Sequence, residues 1–258
     1  MDLGLAGKVV LVGGSSRGIG RAIARSFLSE GASVVITARG REALEETRIA
    51  LEEECGSGRV LAVAGNLADG EVIGRVLERT GDRWGEVDCL VANVGSGAGR
   101  HDWELDEEEW QRSFEVNLSI ARRMTDAVMP AMVRAGRGSV IFVSSIAGVE
   151  CVDAPLPYAT AKAALMAYAR NLARRVGRKA IRVNCLAPGN ILFPGGAWDR
   201  KQAEDPEAVR SYIEREVPLG RFGTPQEIAD LVVFLASERA SFVTGACVVA
   251  DGGQTRGL

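Results

Sequence analysis

Seven short runs of aliphatic and β-branched residues punctuate the chain, at 8–13, 32–38, 59–65, 87–93, 139–145, 181–187 and 246–252. Each is apolar at successive positions, as in KVVLVG and ASVVITA, rather than at alternate ones. Neighbouring side chains of a strand point to opposite faces, so such runs belong to strands covered on both sides. Between them, the segments 21–30, 41–54, 71–83, 106–134, 158–176 and 225–236 are longer and amphipathic with a helical period. This alternation predicts βαβ units and an α/β fold: a doubly wound parallel sheet of about seven strands with helices on both faces. No linker, low-complexity tract or repeat divides the sequence, so residues 1–258 are expected to form a single domain.

Two stretches escape the pattern. Residues 188–205 (PGNILFPGGAWDRKQAED) carry two prolines and three glycines without periodicity, and residues 95–100 (GSGAGR) form a shorter irregular loop. Both follow predicted strands, on the carboxyl side where open α/β sheets bind ligands. The longer one is expected to be a functional lid that recognises substrate or a disordered stretch.

Composition narrows the chemistry. A net charge of −3 offers no basic surface for nucleic-acid phosphates. The one histidine, His101, excludes two-histidine zinc sites and lies in a polar stretch, where a solvated loop residue is expected. The five cysteines, at 55, 89, 151, 185 and 247, include no C-x-x-C pair. Neither a metal site nor a disulfide framework is expected, and a reducing compartment, the cytoplasm, fits best. No apolar run approaches the length needed to span a membrane.

The first predicted strand runs through Gly13-Gly14-Ser15-Ser16-Arg17-Gly18-Ile19-Gly20 directly into a helix. Glycines there permit a tight turn and close approach to a pyrophosphate, whose charge the free N–H groups of the helix start would bind. After the second strand, Thr37-Ala38-Arg39-Gly40-Arg41 has no carboxylate to hold ribose hydroxyls. Arg39, with Arg17 from the glycine turn, can instead pair with a 2′-phosphate, which favours NADP(H) over NAD(H). Tyr158 and Lys162, in PYATAK, stand four residues apart at a helix start and share one face. A neighbouring ammonium and the helix N-terminus are expected to lower the phenol from its ordinary value of about 10, making an acid/base group without imidazole.

With these motifs the chain resembles the short-chain dehydrogenase/reductase family, in its compact single-domain branch, over essentially its full length. Gly14, Gly18 and Gly20 match the TGxxxGxG turn, with Gly13 in the usual threonine position. Ala92-Asn93-Val94-Gly95 matches NNAG, and Asn117 stands where the catalytic asparagine falls in the long helix. Ser145 lies thirteen residues before Tyr158, as the catalytic serine does, with Ser144 the competing choice. Pro188-Gly189, the segment PLGRFG at 218–223, and VTG and DGG at 243–245 and 251–253 complete the series.

The resemblance implies a Rossmann fold and a set of roles. Tyr158 would exchange a proton with the substrate oxygen, Ser145 would bind that oxygen, Lys162 would lower the phenol and hold the nicotinamide ribose, and Asn117 would anchor a water in a proton relay. Cofactor contacts would come from Gly14, Ser16, Arg17, Gly18, Ile19, Gly20, Arg39, Asn66, Leu67, Asn93, Gly95, Tyr158, Lys162, Pro188, Gly189 and Ile191. Two positions depart from the family: Asn66 replaces an aspartate near adenine, and NILFPGG lacks the threonine that touches the nicotinamide amide. The expected activity is that of an NADP(H)-dependent ketoreductase similar to 3-oxoacyl-carrier-protein reductases. The alternatives are an alcohol, polyol or sugar dehydrogenase working oxidatively, or a non-enzymatic nucleotide binder on the same fold. Glu150, Val152, Asp153, Leu156, Ile191, Phe193 and Trp198 are candidate substrate contacts. A carrier protein is acidic, so Arg134, Arg137, Arg178 and Lys179 are candidates for a basic docking patch. A homotetramer through the helices at 106–134 and 158–176 is also expected.

Overall fold

A computed structural model describes residues 2–257. Strands β1 (Val9–Val12), β2 (Ser33–Ala38), β3 (Val60–Ala64), β4 (Cys89–Ala92), β5 (Gly138–Val143), β6 (Ile181–Pro188) and β7 (Cys247–Ala250) form one sheet. The order is β3-β2-β1-β4-β5-β6-β7 and every pairing is parallel. The connections are α1 (Gly18–Ser29), α2 (Arg41–Cys55), α3 (Gly70–Trp84), α4 (Glu107–Phe114), α5 (Ile120–Ala135), α6 (Leu156–Val176), α7 (Ala197–Glu204), α8 (Pro206–Glu216) and α9 (Pro225–Ala236).

The successive apolar residues of each strand feed two different cores. Val10, Val12, Ile141, Val143 and Leu186 pack with Phe27 of α1, Leu44 of α2 and Val232 of α9. Their neighbours Leu11, Val140, Phe142 and Cys185 pack on the other face with Val76 of α3, Met124 of α5 and Leu165 of α6. Side-chain alternation along the strand is therefore what requires helices on both sides. Successive strands are added in opposite directions on either side of the β1–β4 boundary, and the loops leaving β1, β4, β5 and β6 gather at the carboxyl edge there.

Two predicted segments differ from expectation. The single helix over 106–134 is divided into α4 and α5 by a π-helical turn, Glu115–Ser119, which carries Asn117. Residues 188–205 are not an irregular lid throughout, because α7 occupies most of their second half and α8 follows at once. Asp205 caps α8 by accepting from the Ala208 N–H at 2.9 Å, and Pro206 opens it. Val209, Val217 and Phe222, with Leu192, Trp198, Tyr212 and Ile213 against them, give this helical lid a small core of its own. No helix among the described residues is long and apolar enough to cross a membrane.

Candidate active site

The glycine turn is shaped by space as much as by dihedral angle. Gly14 and Gly18 have φ of +67° and +55°, which an L side chain rarely adopts. A Cβ on Gly20 would lie 2.2 Å from the Gly14 carbonyl oxygen, so only glycine lets α1 start against β1. Asn93 reaches across from the end of β4 and donates to the Gly14 and Gly13 carbonyls at 2.9 and 3.2 Å. Ser15 is buried and pins the turn to β2, donating to the Val12 carbonyl at 2.9 Å and accepting from the Thr37 N–H at 2.9 Å. Ser16 accepts through its carbonyl from the Thr47 hydroxyl at 2.8 Å. The first turn of α1 has no side-chain cap and no acidic residue, so its N–H groups remain available to an anion. Arg17 and Arg39 are both exposed, and the stretch after β2 carries no carboxylate. These features fit a dinucleotide.

Tyr158 and Lys162 lie in the first turns of α6. Ser144 and Ser145 are separated by their partners. The buried Ser144 hydroxyl donates to the Lys162 carbonyl at 2.9 Å, while Ser145 Oγ accepts from the Ala147 N–H at 3.2 Å and faces the Tyr158 phenol. The Lys162 ammonium is buried, donates to the Val143 carbonyl at 2.9 Å, and sits 5.9 Å from the centre of the Tyr158 ring. Burial lowers its pKa to about 8. The phenol behaves contrary to expectation: burial raises its pKa above the ordinary value, and the neighbouring Ser145 hydroxyl opposes this only in part. Removing a phenolate from water costs more here than the protein's own neighbouring charges return.

Asn117 is 1% exposed and its amide is fully engaged. Its Nδ2 donates to the carbonyls of Ser96 and Ser113 at 3.0 Å each, and its Oδ1 accepts from the Ser96 N–H at 2.9 Å. The π turn aims this side chain at the loop after β4, and the amide holds that loop under Tyr158. A Cβ on Gly95 would lie 2.9 Å from Lys162 Nζ and 3.0 Å from Asn117 Oδ1, so glycine keeps the gap between them open.

The remaining predicted residues divide between the site and its supports. Gly189 packs against Asp251 so closely that a Cβ would fall 2.7 Å from its Cα. Ile191 is 7% exposed, bridges Gly223, and belongs to the core. Asn66 is exposed after β3, where it accepts from the Ala68 N–H at 3.2 Å, and Leu67 is buried. Trp198 lies inside the lid, between Tyr212 and Phe222 at 4.8 and 4.5 Å, and donates to Asn190 Oδ1 at 3.0 Å. Phe193 packs on Gly18, where a Cβ would come within 2.7 Å of its ring. Glu150 accepts from the Arg256 N–H at 2.8 Å, which ties the C-terminal segment to the mouth of the site.

Three features were beyond sequence reasoning or contrary to it. His101 is exposed on its loop, as expected, and its Nδ1 also lies 2.8 Å from Asp153 Oδ1, joining the loop after β4 to the loop before α6. The two loops enclose an open pocket of about 280 Å³ lined by His101, Asp102, Trp103, Val152, Asp153 and Leu156. Asn190, unremarked in the sequence, is the hub of the lid, donating to Tyr212 Oη at 3.0 Å and Gln254 Oε1 at 2.8 Å. The basic patch is misplaced. Arg134 and Arg137 precede β5, and Arg178 and Lys179 precede β6, so all four lie at the amino edge, opposite the site. Arg134 and Arg137 are moreover paired with Glu86 and Asp88 at 2.6 and 3.0 Å.

A parallel sheet with a glycine turn at its switch point, and a Tyr–Lys pair beside it, defines a dinucleotide-dependent oxidoreductase. A family model described as "Enoyl-(Acyl carrier protein) reductase" matches residues 14–255. The 3-oxoacyl-[acyl-carrier-protein] reductase FabG of Escherichia coli K12 is 38% identical over 248 residues, covering 96% of this chain and 97% of that protein. The Thermotoga maritima FabG is 34% identical over 249 residues, covering 96% and 98%. The crystal structure of L-sorbose reductase from Gluconobacter frateurii, complexed with NADPH and L-sorbose, superposes with a TM-score of 0.93 at 37% identity, covering 100% of both chains. The chain belongs to the short-chain dehydrogenase/reductase family of oxidoreductases.

Proposed function

We propose that the protein is an NADP(H)-dependent reductase of a small carbonyl substrate, with Asn117, Ser145, Tyr158 and Lys162 as its working set. The observation that carries this is the placement of the half-buried Tyr158 phenol, facing Ser145 and with the buried Lys162 ammonium 5.9 Å from its ring. A neutral phenol is a proton donor, the group a carbonyl oxygen needs as it becomes an alkoxide. Bound NADPH supplies the hydride. Ser145 binds the same oxygen and stabilises its growing charge. Lys162 holds a proton behind the phenol and can return it after each turnover, while Asn117 keeps the loop of Gly95–Gly97 in place against both. Arg17 and Arg39, with no carboxylate after β2, support the preference for NADP(H) over NAD(H).

The similarity to FabG supports an acyl thioester carried on an acyl carrier protein as substrate. A second reading, a ketose or its polyol, draws on the pocket at the mouth. Trp103, 77% exposed, offers an aromatic face, and Asp102, Asp153 and His101 offer hydrogen-bonding groups suited to hydroxyls. The likeness to L-sorbose reductase points the same way. NADPH absorbance followed across acetoacetyl thioesters, simple ketones and ketohexoses decides between the two. Tyr158→Phe should abolish turnover and leave NADPH binding intact; turnover that survives the substitution overturns the mechanism. A cytoplasmic homotetramer through α4, α5 and α6 completes the reading, and light scattering should return the mass of four chains.

A further inference from the structure

We propose that Arg200 on α7 and Arg17 in the glycine turn form a clamp that closes on a phosphate group of the bound dinucleotide, a reading that rests on the dinucleotide site above. The two residues belong to segments far apart in sequence, yet both guanidinium groups converge on one acceptor. Arg17 Nη1 donates to the Gly195 carbonyl at 3.4 Å, and Arg200 Nη1 donates to the same oxygen at 3.0 Å. One neutral carbonyl leaves two positive charges side by side and uncompensated. Neither guanidinium has a carboxylate partner among the described residues, whereas other arginines around the lid do. Arg210 pairs with Glu207, Arg215 with Glu216 and Arg221 with Glu227. Asp199, the acid nearest in sequence, is turned away, accepting from the Gly195 N–H at 2.8 Å.

The surroundings define what fits. Phe193 rests on Gly18, so the lid segment 193–200 touches the glycine turn through a ring as well as through Arg17. An anion entering at the start of α1 therefore meets Arg17 from the turn and Arg200 from the lid. A phosphate oxygen accepts charge-assisted bonds from both, with planar, forked geometry that a carbonyl cannot match. On binding, the two arginines exchange the Gly195 carbonyl for phosphate oxygens, and the lid becomes held to the turn by opposite charge. Arg200 is thereby a cofactor-binding residue contributed by the lid, in a chain that lacks the threonine usual in the loop after Pro188-Gly189.

The test is direct titration of NADPH and NADH, followed by nucleotide fluorescence, on the wild type, Arg200→Ala, Arg200→Lys and the control Arg210→Ala. Losing a hydrogen bond to a charged group should weaken NADPH binding roughly tenfold to a hundredfold in Arg200→Ala. Arg200→Lys should recover part of the loss, and Arg210→Ala should bind as the wild type does. A loss confined to NADPH assigns the clamp to the 2′-phosphate; an equal loss with NADH assigns it to the pyrophosphate. Unchanged NADPH affinity in Arg200→Ala, or the same loss in Arg210→Ala, overturns the clamp. Wild-type protein that binds neither nucleotide would bring down the dinucleotide reading itself, and the clamp with it. Thermal melting of each variant separates affinity from folding.

Discussion

At the scale of single residues, the site is organised by what each polar group is already committed to. Ser144 and Ser145 are adjacent and chemically identical, but one hydroxyl serves the Lys162 carbonyl and the other faces the phenol. Lys162 has the clearest thermodynamic signature. Its pKa falls from 10.5 in an ordinary setting to about 8 in the folded protein, because burial penalises the ammonium. Between these values the unfolded chain holds a proton that the folded chain has released. Stability attributable to this residue therefore rises with pH from about 8 toward 10, and the cost of the buried charge is present in full below about 8. In urea titrations at several pH values, the wild type should gain stability over this window relative to Lys162→Met. Parallel pH dependences would show that Lys162 is not the source. The types and spacing of Tyr158 and Lys162 were legible in the sequence because a helix repeats its face every four residues, whereas Ser145 came only from the thirteen-residue spacing of the family it resembles. The raised phenol was not, since it depends on how much water the folded loops exclude.

At the scale of elements, the π turn Glu115–Ser119 is the clearest case of local irregularity serving position. An uninterrupted helix was the natural expectation from a continuous amphipathic pattern, and a single wide turn leaves that pattern almost unchanged. Its consequence is visible only in contacts: Asn117 turns inward and binds both backbone groups of Ser96. Asn117→Ala removes these partners and leaves the Ser96 N–H and carbonyl unpaired beside Lys162. A stability loss of about 1–3 kcal/mol is expected. Turnover should fall much further than NADPH affinity, since the loop beneath the phenol is what loosens. A variant that keeps full turnover would remove Asn117 from the working set. The lid helices escaped the sequence for a different reason. Val209, Tyr212 and Ile213 do repeat with helical spacing, but they bury against one another and Phe222 rather than against the main sheet. The run of glycine and proline before them obscures so short a stripe.

At the scale of the whole molecule, the strand order was legible because connection handedness and two-sided burial leave few arrangements, whereas which edge a surface charge occupies was not. Arg134 and Arg178 follow helices, and only the common direction of all seven strands puts them far from the site. The same geometry makes cofactor binding a property of the entire fold. The residues that meet at the carboxyl edge come from the loops after β1, β2, β4, β5 and β6, together with α6 and the lid, so a bound dinucleotide links segments that unfold together. Ligand that binds only the folded state adds RT ln(1 + [L]/Kd), about 2.7 kcal/mol at a hundredfold excess over Kd. For a chain of this length, each kcal/mol moves the melting temperature by about 2–4 °C. NADPH at that excess should therefore raise Tm by roughly 5–11 °C. If the arginines and the missing carboxylate set the preference, NADH at the same concentration should bind at least tenfold more weakly. Its stabilisation would then be smaller by about 1.4 kcal/mol, a difference of roughly 3–6 °C between the two melting curves. Equal shifts would mean that Arg17 and Arg39 do not select the 2′-phosphate.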